Sequence, residues 1–259
     1  MLSLITELQE RFTTIAFMYA RIVPIFVFLP ILNSNVLGGL LVRNAIIFLI
    51  VIGLWPALEL NLSISSLEPA EYSILIVKEG MVGAALGLIL ALPFWIFSAF
   101  GAYIDVARGA SMGSLIDPTN GQESTEAANY INFCVLIVYL EIGGMQYFLE
   151  TLLKSYQIIG VTQGFNVNLE AIALFLGQIV TQGFILAAPI LLMLLLTECL
   201  LGLFSRFTPQ LNAFSISLTI KSVIAFFVLM MYFWQVTPEK LHIFMDDYSS
   251  LQMLQGGGK

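Results

Sequence analysis

Five residues near the middle of the chain, Gly109-Ala110-Ser111-Met112-Gly113, fit the pattern G-x-S-x-G that presents a serine as a nucleophile. Asp117 and the single histidine, His242, can be written beside it as a triad. That chemistry requires a strand before the serine and a helix after it, so that the sharp turn between them exposes the hydroxyl. Here the preceding residues end a long apolar run of helical character, and His242 falls beyond the last apolar segment. A Gly- and Ser-rich loop meets so short a pattern by chance, and the reading expects no hydrolase. No Walker A, HExxH, CxxC or dinucleotide fingerprint occurs, so the chain carries no machinery for hydrolysing ATP. Catalytic residues, a cofactor and a metal are all read as none.

The elements that position these residues belong to a membrane protein. Of 259 residues 59% are hydrophobic and 10% charged, far from the roughly half apolar and quarter charged of a soluble domain. Apolar segments at about 12-32, 36-58, 74-104, 130-153, 171-203 and 211-236 each approach or exceed the ~20 residues that span hydrocarbon as a helix. Six helical segments are expected, kinked or broken at Pro24, Pro30, Pro93 and Pro189. The N-terminus carries Glu7 and Glu10 where a secretory signal places basic residues, and is read as mature protein. The net charge of -7 is spread thinly, and no Lys/Arg cluster points to nucleic acid. Cys134 and Cys199 lie in apolar runs and are read as inert thiols.

One polar break, Gly101 to Ala128, divides the chain, with a central loop read at 105-129. It holds Asp105, Arg108, Asp117, Glu123 and Glu126, four glycines and Pro118. Other charges lie inside the apolar segments: Arg21, Arg43, Glu141, Glu198 and Lys221. Facing lipid near the midplane at ~2.5–3.5 kcal/mol each, they would together cost on the order of 15 kcal/mol. That rivals the whole stability of an ordinary fold, about 5–15 kcal/mol. Arg21, Arg43 and Lys221 are therefore expected to meet carboxylates or helix C-terminal carbonyls, in this chain or a neighbour, with Glu141 a candidate partner, while Glu198, near a segment end, either snorkels or has a functional role. Gly80, Gly83, Ala84 and Gly87 form a small-residue stripe for close helix contact, within the chain or between subunits, and Gly183 with Ala187 repeats the spacing.

Three separated motifs resemble one family. Gly101-Ala102-Tyr103-Ile104-Asp105, Arg108-Gly109-Ala110-Ser111 and Asp117-Pro118 are similar to the central signature of the FliR/SctT family, the export-gate subunit of type III secretion systems. Arg21-Ile22-Val23-Pro24 resembles its N-terminal motif, and Arg206 within Ser205-Arg206-Phe207-Thr208-Pro209-Gln210-Leu211-Asn212 its C-terminal one. Asp105 and Arg108 favour the injectisome SctT branch over flagellar FliR, although Val106-Ala107 departs from the polar residues of many injectisome relatives.

The resemblance implies an all-α membrane protein whose helices pack as hairpins in a helical hetero-oligomeric gate. It implies a non-enzymatic subunit in the bacterial inner membrane, inside the secretion-system basal body. Partners implied are SctR-, SctS-, SctU- and SctV-type proteins and the unfolded proteins in transit. Residues 1-259 are then a single export-gate domain. Asp105, Arg108, Gly109, Ser111, Met112, Gly113, Leu115, Asp117 and Pro118 would form the pore gate loop, and Arg21, Arg43, Glu141, Arg206 and Lys221 the buried charges of assembly. The alternative from the residues alone is a secondary transporter for a small solute, since broken helices and embedded charges mark those too.

Overall fold

The computed structural model describes residues 2–30, 38–55, 69–110, 126–161, 169–207 and 213–246. Among the described residues seven helices follow one another: α1 (Leu2–Phe28), α2 (Leu40–Leu54), α3 (Pro69–Arg108), α4 (Glu126–Glu141), α5 (Gly144–Ile158), α6 (Leu169–Phe207) and α7 (Ala213–Asp246). No strand occurs among the described residues. Within α1, α3, α6 and α7 lie stretches long and apolar enough to cross a membrane, and α4 with α5 pass the same test only when taken together. This is an all-α membrane protein, and the helical form follows from the solvent: hydrocarbon offers no partner to a backbone N–H or C=O.

The helices differ from the expected segments in four instructive ways. The run 130-153 is two helices, because Ile142 and Gly143 interrupt it and Gly143 takes a left-handed φ of 81° that a side chain resists. The central loop read at 105-129 begins and ends in helix: 105–108 are the last turn of α3 and 126–129 the first of α4. The polar residues there signalled two helix ends, where charge is favourable, and not only a break. His242 lies inside α7, which runs ten residues past the expected end at 236. Pro24, Pro93 and Pro189 stand inside continuous helices, not at breaks. A long helix held on both sides of a proline absorbs one lost backbone bond.

Two compact units form. The first takes in the described parts of Met1–Leu92 and Gly143–Leu169. Its core places Met18, Ile22, Ile25 and Phe26 of α1 with Val82 and Leu86 of α3 and Phe148 and Leu152 of α5. Phe26 and Phe148 meet edge to face, with centroids 6.1 Å apart. Gly83 and Gly87 let α1 approach closely: a Cβ at Gly83 would fall on the Arg21 carbonyl, and one at Gly87 would come within 2.9 Å of the Ile25 Cα. This places the small-residue stripe at a contact within the chain. Gly80 is looser, where a Cβ would stand 4.0 Å from the Ala20 carbonyl oxygen, and Ala84 is half-buried.

The second unit comprises Pro93–Ile142 and Glu170–Asp246. Phe97 meets Phe100 and Phe244 edge to face, Phe100 meets Tyr232, and Phe94 meets Tyr139. Such ring pairs contribute about 0.5–1.5 kcal/mol each beyond the area they bury. On α4 the buried residues Ala127, Ile131, Val135 and Val138 recur at helical spacing and form one inward stripe. Gly183 of α6 sits against Ala99 of α3, and Gly101 of α3 against the Ala128 backbone.

Substituting Gly83→Val forces α1 off α3, because the obstacle is backbone that cannot rotate away. The expected loss is at least about 3 kcal/mol, the upper end of overpacking costs, read as a sharp fall in folded protein surviving heating in detergent. Gly80→Ala, where space exists, leaves that survival unchanged.

Candidate functional site

In the first unit the chemistry gathers on Arg21, which is fully buried in the C-terminal third of α1. Its guanidinium meets the Glu79 carboxylate in a two-pronged pair, Nε to Oε2 at 2.6 Å and Nη2 to Oε1 at 2.9 Å. Nη1 donates to Ser155 Oγ at 3.3 Å, and Nη2 also donates to the Ile159 carbonyl at 2.9 Å. The Tyr156 ring lies under the guanidinium, 3.9 Å from Cζ to the centroid. Beside it, Lys78 Nζ donates to the carbonyls of Gly160 and Val161 at 2.8 and 2.7 Å. Two cations thus sit at the C-terminal end of α5, where orphan carbonyls and the negative helix pole favour them.

Glu79 and Lys78 were missed in the sequence, although both stand in the apolar run 74-104 and the rule that exposed Arg21 applies to them equally. Glu141, expected as a partner, is exposed and forms no ion pair among the described residues. Arg43 lies at the start of α2 with its Nε buried and without a hydrogen-bond partner. Arg206 is exposed in the last turn of α6, where its charge suits the helix pole.

In the second unit the central motif becomes legible. Asp105, four residues after Gly101 and so on the same face of α3, accepts hydrogen bonds from the backbone N–H groups of Ala127 and Ala128, both at 3.2 Å. These are the second and third residues of α4, the positions an N-cap satisfies. The capping carboxylate therefore comes from another helix, and Gly101 provides the room in which the Ala128 backbone sits. Arg108 Nε donates to Asp105 Oδ1 at 2.8 Å, its Nη2 reaches Glu126 Oε2 at 3.2 Å, and its guanidinium lies 5.2 Å from the Phe226 ring centroid.

The end of α3 closes as a Schellman motif. The Gly109 N–H reaches the Val106 carbonyl at 3.1 Å and the Ala110 N–H the Asp105 carbonyl at 3.0 Å, with Gly109 at φ 84°. Lys221 Nζ donates to the Ala107 carbonyl at 3.4 Å and pairs with Glu198 at 3.2 Å. Glu198 is thus an ion-pair partner well inside α6, not a snorkelling residue at a segment end. Of the proposed gate residues, Asp105, Arg108 and Gly109 form this clasp; Ser111, Met112, Gly113, Leu115, Asp117 and Pro118 lie outside the described residues.

Nothing in either centre brings a nucleophile to a base. Each arrangement satisfies buried charge and helix ends, which is the work of positioning. Removing one member of the Arg21–Glu79 pair leaves a buried charge uncompensated, so Arg21→Met or Glu79→Met alone should each lose about 3–5 kcal/mol. The double variant Arg21→Met with Glu79→Met should recover most of that loss, measured as folded protein surviving a detergent heat challenge.

The family model described as bacterial export proteins, family 1, matches residues 12–246. The chain is 43% identical over 235 residues to the surface presentation of antigens protein SpaR of Salmonella typhimurium, covering 91% of this chain and 88% of that protein. It is 30% identical over 251 residues to the Yop proteins translocation protein T of Yersinia pestis, covering 94% of this chain and 96% of the relative. With the flagellar biosynthetic protein FliR of Bacillus subtilis the identity is 34% over 170 residues, covering 63% of this chain and 66% of that one.

Proposed function

The chain belongs to the bacterial export proteins of family 1, the FliR/SctT family, and from that premise we propose that it is a subunit of a type III secretion export gate. It is a structural component of an export apparatus, not an enzyme. In this reading it sits in the bacterial inner membrane, within the basal body, and forms part of the pore through which unfolded substrates enter. SctR- and SctS-type subunits complete the gate, and SctU- and SctV-type subunits pass substrates to it.

The observation that carries the reading is the clasp at Asp105. A pore wide enough for an unfolded chain must stay tight to ions at rest, so its closing element has to be held yet able to move. Asp105 ties the last turn of α3 to the first turn of α4, and these are the two ends between which the segment with Met112 and Leu115 is strung. The clasp supports a role for that segment in closure because it anchors the segment's base.

Two outcomes test this. Expressed with its neighbouring apparatus subunits, the chain should co-purify in one large hetero-oligomer; expressed alone, it should aggregate or be degraded, because large apolar side chains such as Leu41, Leu49, Leu195 and Phe227 stand exposed and the buried Nε of Arg43 lacks a hydrogen-bond partner. A stable, monodisperse monomer would count against the proposal. Asp105→Ala should leave the complex assembled while raising its resting conductance to small ions severalfold in planar bilayers. Asp105→Asn, which still caps a helix, should leak less. If Asp105→Ala assembles, stays electrically tight and secretes at the normal rate, closure is made elsewhere.

A further inference from the structure

The last turn of α3 is held from two sides, by contacts of different kinds. Toward α4 the hold is on backbone: Asp105 accepts from the Ala127 and Ala128 N–H groups, both at 3.2 Å, and Gly101 seats the Ala128 backbone where a side chain would clash. Toward α7 the contacts come from side chains. Leu218 lies on Gly109, where a Cβ would meet its Cδ2, the Arg108 guanidinium is 5.2 Å from the Phe226 ring centroid, and Lys221 Nζ donates to the Ala107 carbonyl at 3.4 Å. That bond is near the limit of useful length. Of the two sides, α7 lets the turn go more readily.

Lys221 also lets that release occur without stranding a charge. It is 9% exposed, and among the described residues its ammonium meets the Ala107 carbonyl, at the negative pole of α3, and Glu198 of α6, 3.2 Å away. A buried charge that loses every partner is strongly destabilising. Here the turn can leave while Glu198 stays. Ala225, Leu229 and Phe233, buried at successive steps of four from Lys221, fix the α7 backbone behind it, so the parts that can move are the ammonium and the turn it holds. A lysine suits such an exchange. Its charge is compact, on a flexible stem with three donors, whereas a guanidinium binds through a rigid fork.

We propose that Lys221 is a positioning residue for closure, a latch that holds the last turn of α3 in the tight state and passes its charge to Glu198 when that turn moves. The proposal rests on the reading above that the segment following α3 takes part in closing an export pore. It adds the side on which the hold is released, α7 and not α4. The competing account is a static ion pair that merely ties α6 to α7. The two differ in sign. A static pair loses the same thing whichever partner is removed, but a latch and the group that receives its charge have opposite effects.

The test uses the complete co-expressed complex, with resting conductance read in planar bilayers and secretion rate read in the host. Lys221→Met removes the latch and should raise resting conductance about fivefold, the factor expected for losing a charge at a helix pole. Lys221→Arg, which keeps the charge, should leak less than Lys221→Met. Glu198→Gln leaves the lysine dependent on the α3 pole, so the complex should stay tight and secrete about fivefold more slowly. Like effects of Lys221→Met and Glu198→Gln in both readouts, or a tight and normally secreting Lys221→Met, overturn the latch. If Lys221→Met does not assemble, Glu198→Gln decides alone: tight and slow supports the proposal, leaky or normal in rate overturns it. Asp105→Ala separates the two levels of the argument. If it leaks and Lys221→Met does not, the latch alone fails; if both stay tight, the closure reading fails with it.

Discussion

A guanidinium buried in the middle of an apolar helix sets the terms for the first unit. Desolvating an arginine and a carboxylate costs several kcal/mol per ion, and the loss is offset only if the geometry is good and the remaining N–H groups are satisfied. Arg21 meets that condition through Glu79, Ser155, the Ile159 carbonyl and the Tyr156 ring, contributed by α3 and by α5 with the turn that follows it. The condition dictates packing as well as charge. Glu79 reaches Arg21 only because glycine at 83 lets the two backbones come together, so a small residue and an ion pair four positions apart act as one device.

Helix ends explain most of the remaining polar residues. In the first unit Arg21 and Lys78 close the C-terminal pole of α5. In the second, Asp105 closes the N-terminus of α4, and Gly109 with Lys221 closes the C-terminus of α3. In each case a group distant in sequence contributes to the cap, joined at the end of α3 by the local Schellman turn at Gly109. A soluble protein leaves many such ends to water; in a water-poor setting the same orphan groups require protein partners, and each partner fixes one helix against another.

Composition and hydrophobic run length made the helical membrane class readable, because those depend on sums over many residues. The three polar motifs made the family readable. The pairing of the charges was not: Arg21 and Glu79 are 58 positions apart, and nothing local in either segment encodes which carboxylate meets which cation. Glu79 was overlooked because an apolar run draws attention to its ends, yet it was as exceptional there as Arg21. The helical ends of the central break were hidden by a different ambiguity. Asp105 and Arg108, three apart, form an ion pair across one turn of helix and equally suit a polar loop, and only the position of Ala127 and Ala128 distinguishes the two.

The contacts of Arg21 also impose an order on biosynthesis. Its last acceptor, the Ile159 carbonyl, is made 138 residues after it. At about 5–20 residues per second, the guanidinium waits on the order of ten seconds before its full set of partners exists. During that interval α1 alone offers the guanidinium none of these partners, so the packing around it waits for α3 and α5. The first unit is therefore completed late, around a helix that was synthesised first.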